Sequence, residues 1–202
     1  AFTPAAWAAL VGHLAGSPSS SAARLRWICV FEQAVGLRAD ELLRAERRHL
    51  VEKSTGWVIR VHGKGRRNRL VPVPKVAIEA TRAYFKARGS DFEKDPGETR
   101  LLASLGDPTM PISYQALHQT FTRFVNRAIK ASRLSLDERE QAVRSSMHWL
   151  RHTYATRAAE REVPPDVLQE NLGQADPRTT ARYYRAQMER RQAAMEKAFA
   201  EE

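Results

Sequence analysis

The sequence predicts a mainly α-helical fold that carries one small antiparallel β-sheet, an α+β arrangement in one domain. Apolar residues recur at helical spacing over most of the chain, as at Trp7, Leu10 and Leu14. Residues 48–74 differ, because short β-prone runs alternate there with glycine turns. The chain has 202 residues, of which 43% are hydrophobic, so it is long and apolar enough to form one packed core.

The first third of the chain is predicted to form two helices and a short third one. Thr3 can cap a helix whose first position is Pro4, where proline is favoured. The serine-rich loop at 16–21 can cap a second helix, which is predicted to end at Gly36. A short helix over 40–44 follows.

Three short strands are predicted next, at 49–51, 57–61 and 70–73, with turns at Gly56 and at 63–68. The rest of the chain is predicted to be helical, apart from a connecting loop at 89–111 that is rich in Gly, Pro and Asp. The predicted helices cover 76–88, 114–132, 136–144, 147–161, 165–172, 177–185 and 187–201.

The charge balance favours a polyanionic partner. Thirty-three Lys and Arg against 23 Asp and Glu give a net charge of +10, which suits DNA, RNA or anionic lipid. The longest apolar runs fall far short of the roughly 20 residues that cross a bilayer, and no secretory signal pattern is visible. We therefore expect an intracellular protein with no membrane contact. The single Cys29 excludes an intrachain disulfide framework and a cysteine-based zinc cluster.

Five residues stand out as candidates for chemistry. Arg38 follows a glycine at a helix end, and Lys64 lies at a Gly-Lys-Gly hairpin tip. His148 and Arg151 are three residues apart, so one helical face presents both, and Tyr183 lies near the C-terminus. Each has an ordinary explanation by itself. An arginine at a helix end commonly binds carbonyls or solvent, and adjacent tyrosines commonly pack in a core with their hydroxyls at its rim.

Together these residue types suit phosphoryl transfer. Guanidinium and ammonium groups neutralise the charge on the oxygens of a phosphodiester transition state. An imidazole can take or give a proton, and a phenol can be the nucleophile in an electropositive site. No Asp, Glu and His cluster has the spacing of metal ligands, so we expect no metal and no other cofactor.

The order and spacing of these residues resemble the tyrosine recombinases, also called the phage integrase family. The resemblance covers most of the chain and is carried by the motifs at 36–42 (GLRADEL), 63–69 (GKGRRNR), 148–155 (HWLRHTYA), 172–174 (LGQ) and 179–183 (TTARY). It implies the tyrosine-recombinase catalytic-domain fold over residues 1–185, followed by a helical tail at 186–202. The core-binding domain that usually precedes this fold has no counterpart here, so a catalytic domain alone is expected.

The resemblance also implies a site-specific recombinase or integrase that cleaves and rejoins duplex DNA through a 3′-phosphotyrosyl intermediate, without metal or ATP. Arg38 and Arg151 match the phosphate-binding arginines, and Lys64 matches the general acid towards the leaving 5′-oxygen. His148 matches the residue that assists proton transfer or orients the phosphate, and Tyr183 matches the nucleophile.

Two further positions follow from the resemblance. Glu41 matches an acidic residue that supports Arg38. Gln174 stands where the family usually has His, sometimes Trp. Glutamine can donate a hydrogen bond to a phosphate oxygen but cannot carry a proton, so we expect slower but retained activity.

Five other arginines are predicted to contact DNA. They are Arg66, Arg67 and Arg69 beside the hairpin lysine, and Arg123 and Arg127 on the helix predicted from residue 114. The hairpin arginines suit the phosphate backbone. The helix suits the major groove, although an ordinary solvated helix face explains its polar positions equally well.

The predicted partners are double-stranded DNA and further copies of the chain, as a tetramer on DNA. The resemblance implies that the helical tail at 186–202 docks on a neighbouring protomer. The alternative is that this tail packs back on its own domain. A DNA-binding module with weak or no strand transfer, and a nicking-closing enzyme of the type IB topoisomerase kind, are the alternative functions. The expected location is the nucleoid of a bacterial cytoplasm.

Overall fold

The computed structural model describes residues 2–63, 68–107 and 109–199, and it confirms the mainly helical α+β fold. Its helices are α1 Pro4–Ala15, α2 Ser20–Val35, α3 Ala39–Arg44, α4 Lys75–Ala87, α5 Tyr114–Lys130, α6 Leu136–Val143, α7 Met147–Glu160, α8 Pro165–Leu172 and α9 Pro177–Phe199. A short 3-10 turn, Arg47–His49, leads into the sheet.

Local sequence signals fix the ends of the first two helices as predicted. The Thr3 hydroxyl accepts a hydrogen bond from the backbone N–H of Ala6 at 3.2 Å, and the Ser19 hydroxyl accepts one from that of Ala22, also at 3.2 Å. Gly36 ends α2 in the left-handed conformation, with φ of 67°.

The sheet contains the strands β1 Leu50–Lys53, β2 Gly56–His62 and β3 Asn68–Pro72, in the order β1-β2-β3 with antiparallel neighbours. Leu50 pairs with Ile59, and Ile59 pairs with Val71, so the three side chains share one face. All three are buried, which makes this the core face of the sheet. The ends of the strands lie one or two residues from their predicted bounds.

Helix α7 occupies the centre of the packing. It contacts α2, α8 and α9. The main hydrophobic core includes Leu150 of α7, while a second cluster joins Tyr154 and Ala155 of α7 to Leu172 and Tyr183. One helix therefore fixes the residues of both clusters relative to each other.

One prediction about the chain's course was wrong. Residues 177–199 form one helix rather than two, because Ala186 at the predicted break is a good helix former. The connecting loop predicted at 89–111 is confirmed, because the described residues of this segment form no helix or strand. The loop also contributes to the core, since Leu101, Leu102 and Ala103 are fully buried. The carbonyl of Ala103 accepts a hydrogen bond from the buried Arg24 at 3.1 Å, which anchors the segment to α2.

None of the described helices is long and apolar enough to span a membrane.

Candidate active site

Five of the six catalytic candidates that the sequence analysis named line one cavity of about 680 Å³. They come from the start of α3, from α7, from the turn after α8 and from α9, and they are Arg38, His148, Arg151, Gln174 and Tyr183. The fold thus brings together positions that lie up to 145 residues apart in the sequence.

Arg151 forms the buried floor of this cavity and is only 6% exposed. Its Nη1 donates to the carbonyl of Gly36 at 2.7 Å, and its Nη2 donates to that of Leu172 at 2.6 Å. These carbonyls belong to the C-terminal ends of α2 and α8, where the helix dipoles favour a cation. Burial, with the charge of Arg38 adding to it, lowers the pKa of Arg151 to about 10, so the side chain remains charged at neutral pH.

Glycines are required at the ends of both helices. Gly36 and Gly173 have φ of 67° and 59°, values that are costly for other residues. A Cβ at position 36 would lie 2.2 Å from Cδ1 of Tyr154, and one at position 173 would lie 3.0 Å from Cζ of Arg69. The glycines therefore hold the carbonyls that orient the site arginines.

Arg38 lies at the cavity entrance with 42% of its side chain exposed. Its Nη1 donates to Oε1 of Glu41 at 3.0 Å, and its Nη2 donates to the carbonyl of Gly173 at 3.1 Å. The other carboxylate oxygen of Glu41 accepts the backbone N–H of Arg38 at 2.8 Å. Glu41 thus holds both the backbone and the guanidinium of Arg38.

Arg69 does not have the exposed position that we expected for a DNA-backbone contact. Its guanidinium donates to both carboxylate oxygens of Glu41, at 2.8 and 2.9 Å, and through Nε to the carbonyl of Asn171 at 3.0 Å. Arg69 pairs with Val61 in the sheet, and side chains alternate along β3, so it shares the inner face with Val71. Only 12% of its side chain is exposed, because it is directed towards α3 and α8.

The carboxylate of Glu41 is held in its charged form. Burial alone would raise its pKa, but hydrogen bonds from Arg69 and from the backbone of Arg38, together with both positive charges, hold the pKa below its usual range. Only 2% of the side chain is exposed. The buried carboxylate is therefore a fixed anchor for two arginines.

Tyr183 is 7% exposed, and two side chains contact its hydroxyl. The phenolic oxygen lies 3.1 Å from Nδ1 of His152 and 3.0 Å from Nη2 of Arg182. The neighbouring Tyr184 instead donates its hydroxyl to the carbonyl of Val163. Tyr183 lines the cavity, whereas Tyr184 is directed away from it.

His152 and Arg182 are site residues that the sequence analysis missed. His152 lies four residues after His148, so helical spacing puts both on the same face of α7, and this signal was available. Arg182 gave no such signal, because adjacent residues on a helix do not normally face each other. Its guanidinium nevertheless lies 4.9 Å from the centre of the Tyr183 ring.

Both histidines of the cavity favour the neutral form. Partial burial, and then the charges of Arg151 and Arg182, lower the pKa of His148. Burial is also the largest cause for His152, whose pKa is lowered to about 4. Both rings are therefore unprotonated at neutral pH and can accept hydrogen bonds.

Gln174 is fixed by contacts at both ends. Its side-chain oxygen accepts a hydrogen bond from the Thr180 hydroxyl at 2.8 Å, and its backbone carbonyl accepts one from the Gln169 amide at 3.1 Å. With the oxygen bound, the side-chain NH₂ group is the part that can donate to a ligand in the cavity.

The hairpin tip lies outside the described residues, and with it Lys64, Arg66 and Arg67. The flanking residues Gly63 and Asn68 line a second cavity, of about 810 Å³, which Arg38 and Gln174 also line. The described base of the hairpin therefore borders the site.

The remaining two predicted DNA contacts lie on α5. Arg123 and Arg127 are exposed there and, being four residues apart, share one face of the helix. Neither lines the cavity, although Tyr114 at the start of the same helix does.

Over the described residues, no group of three or more His, Cys, Asp or Glu is arranged to hold a metal ion.

A family model described as the phage integrase family matches residues 3–190. The chain belongs to this family. It is 32% identical over 148 residues to the tyrosine recombinase XerC of Pseudomonas entomophila, a match that covers 73% of this chain and 43% of that protein. It is 28% identical over 175 residues to the tyrosine recombinase XerA of Thermococcus onnurineus, covering 87% and 55%.

Solved structures of family members share the fold. The XerH site-specific recombinase in its post-cleavage complex with palindromic difH substrate matches with a TM-score of 0.70 and 19% identity, over 100% of this chain and 53% of that one. The Tn1549 transposon integrase bound to transposon right end DNA matches with a TM-score of 0.68 and 20% identity, over 94% and 65%. The chain spans about half the length of the curated relatives that it matches.

Proposed function

We propose that this chain is the catalytic part of a site-specific DNA recombinase, which cleaves and rejoins duplex DNA through a 3′-phosphotyrosyl intermediate on Tyr183. One observation carries the proposal: two arginines, a histidine and a glutamine converge on the cavity that Tyr183 also lines. The names of the relatives, which are tyrosine recombinases, agree with it.

The described lining of the cavity supports phosphate binding and nucleophilic attack, and the resemblance adds the leaving-group step at Lys64. Arg38 and Arg151 would bind the non-bridging oxygens of the scissile phosphate, and Gln174 would donate a further hydrogen bond. Tyr183 would attack phosphorus while Lys64 protonates the departing 5′-oxygen. A 5′-hydroxyl from a partner duplex would then attack the phosphotyrosine and release the phenol. The covalent link conserves the energy of the phosphodiester between the two steps.

Duplex DNA is the proposed substrate. The net charge of +10 favours it, and the exposed Arg123 and Arg127 on α5 would face the duplex, together with Arg66 and Arg67 of the hairpin. If they contact phosphates, Arg123→Gln and Arg127→Gln should weaken binding to all duplex sequences and reduce its salt dependence. If they read bases, the loss should be confined to particular sequences.

The end of α9 is the proposed contact between protomers in a tetramer on DNA. Met188 and Met195 are 53% and 58% exposed, which supports docking on a second copy over packing on the chain's own core. Chains deleted after Arg185 should bind DNA without assembling, as measured by crosslinking and gel filtration with and without DNA. Unchanged assembly would contradict the docking.

A pool of nicked duplexes of randomised sequence tests the function. A nick near the cleavage point lets the short product with the 5′-hydroxyl diffuse away, so the covalent complex accumulates. Capture of a defined sequence establishes cleavage, and joining of two duplexes that carry it establishes recombination. Relaxation of supercoiled DNA without joining would instead support the nicking-closing enzyme. Binding without covalent capture would support the DNA-binding module.

A further inference from the structure

The hydroxyl of Tyr183 has one proton to donate and can accept hydrogen bonds from others. Arg182 can only donate, so the phenolic oxygen is the acceptor in the 3.0 Å contact with its Nη2. The ring nitrogen Nδ1 of His152, at 3.1 Å, accepts the phenolic proton in the tautomer that carries its own hydrogen on Nε2. In the described part of the chain, no side chain other than those of Arg182 and His152 forms a hydrogen bond with the Tyr183 hydroxyl.

We propose that His152 is the catalytic base that takes the proton of Tyr183 during strand cleavage, and that Arg182 stabilises the negative charge on the phenolic oxygen. The inference rests on the proposed function. It assigns a role to a residue that the resemblance did not include.

The proton transfers balance in this scheme. As the bond between Oη of Tyr183 and phosphorus forms, the phenolic proton moves to Nδ1 of His152, and the bond from phosphorus to the 5′-oxygen breaks. The leaving 5′-oxygen takes its proton from Lys64, the general acid of the proposed function. In rejoining, the same steps run in reverse, so protonated His152 returns its proton to the departing phenolic oxygen.

His152 is better placed for this role than His148. Within the described part of the chain, His148 makes no hydrogen bond to the phenol, whereas Nδ1 of His152 lies 3.1 Å from the phenolic oxygen and the two rings lie 5.3 Å apart between centres. The pKa of His152, about 4 without DNA, keeps Nδ1 free to accept a proton. Entry of a phosphodiester brings negative charge into the cavity, which favours the imidazolium and so strengthens the base when substrate is bound.

Single-turnover cleavage by the full chain tests the proposal, on a nicked duplex that the wild-type chain captures covalently from the randomised pool. His152→Asn retains an oxygen that can accept the phenolic hydrogen bond but cannot take up the proton. We expect this variant to cleave about 10²- to 10⁴-fold more slowly, the range for general base catalysis. His152→Ala should be equally slow and should regain activity when imidazole is added. If the wild-type chain captures no duplex, that result contradicts the proposed function. If the wild-type chain cleaves and the His152 variants cleave equally fast, that result contradicts the role of His152 alone.

A substrate with sulfur in place of the bridging 5′-oxygen separates the two proton transfers. A thiolate leaves without a proton because thiols are acidic, so sulfur should restore cleavage by Lys64→Ala, the control for the leaving-group side. It should not restore cleavage by His152→Asn. Wild-type rates for His152→Asn on the oxygen substrate, or its rescue by sulfur, would overturn the proposal.

Discussion

Arg69 donates hydrogen bonds to both carboxylate oxygens of Glu41, at 2.8 and 2.9 Å. Glu41 in turn holds the guanidinium of Arg38 at 3.0 Å. The strand that follows the hairpin is thus connected, through one buried carboxylate, to a phosphate-binding candidate at the cavity entrance. Arg69 acts on the site through Glu41.

Removing this carboxylate should destabilise the fold. Glu41→Ala leaves the largely buried Arg69 unpaired, and loss of one partner of a buried ion pair typically costs about 3–5 kcal/mol. Asp40→Ala is the matched control, because the neighbouring Asp40 forms an exposed pair with Arg44, worth about 0.5 kcal/mol. Urea denaturation measures both free energies of unfolding. Equal values for the two variants would contradict the anchoring role of Glu41.

The contribution of Glu41 should depend on pH in a definite direction. Its pKa in the folded state lies below the usual range, so its stabilisation is complete above the unfolded value of about 4.3 and is lost as the pH falls through the lower folded value. The stability gap between wild type and Glu41→Gln should therefore be large at pH 7 and narrow towards pH 3. Urea denaturation between pH 7 and pH 3 measures this difference in the free energy of unfolding. A difference that widens on acidification would contradict the lowered pKa of Glu41.

Gly36→Ala should damage both fold and site. The left-handed backbone costs a non-glycine residue about 1–2 kcal/mol, and the contact with the Tyr154 ring at 2.2 Å adds to this. Any shift of Gly36 also moves the carbonyl that holds Arg151, so cleavage should slow as well. Gly12→Ala is the control, since nothing lies within 4 Å of its Cβ and alanine in a helix gains about 0.5–1 kcal/mol. Thermal unfolding that ranks the two variants in the reverse order would refute this.

The sequence predicted the parts of the fold that local signals determine. The caps at Thr3 and Ser19, the glycine end of α2 and the three-stranded sheet are all present. The motifs at Arg38 and Tyr183 also named residues that line one cavity. These predictions succeeded because capping, turn chemistry and motif spacing are properties of neighbouring residues.

The failures concern orientation and long-range packing. In β3, Leu70 and Val71 are both apolar, so alternation alone did not reveal that Leu70 faces outwards and Arg69 inwards; Leu70 is 50% exposed. The core role of Leu101 depends on contacts with distant segments, which no local pattern encodes. The His-x-x-Arg motif predicts only His148 and Arg151 as site residues, and it therefore did not identify His152.

Gln174 should act as a hydrogen-bond donor to the substrate. Gln174→His keeps a donor and adds the option of a charge, so cleavage should be maintained or faster, whereas Gln174→Ala should be slower. Thr180→Val removes the hydroxyl that fixes the amide and should give an intermediate rate. Single-turnover cleavage measures all three, and a wild-type rate for Gln174→Ala would exclude a substrate contact.

Covalent trapping by two phenylalanine variants tests the central claim most directly. Tyr183→Phe removes only the hydroxyl that His152 and Arg182 contact, while Tyr184→Phe removes the one bound to the carbonyl of Val163. On the nicked duplex that wild type captures, Tyr183→Phe should give no covalent protein–DNA complex, and Tyr184→Phe should give as much as wild type. Retained trapping by Tyr183→Phe, or its loss only in Tyr184→Phe, would contradict the assignment of the nucleophile.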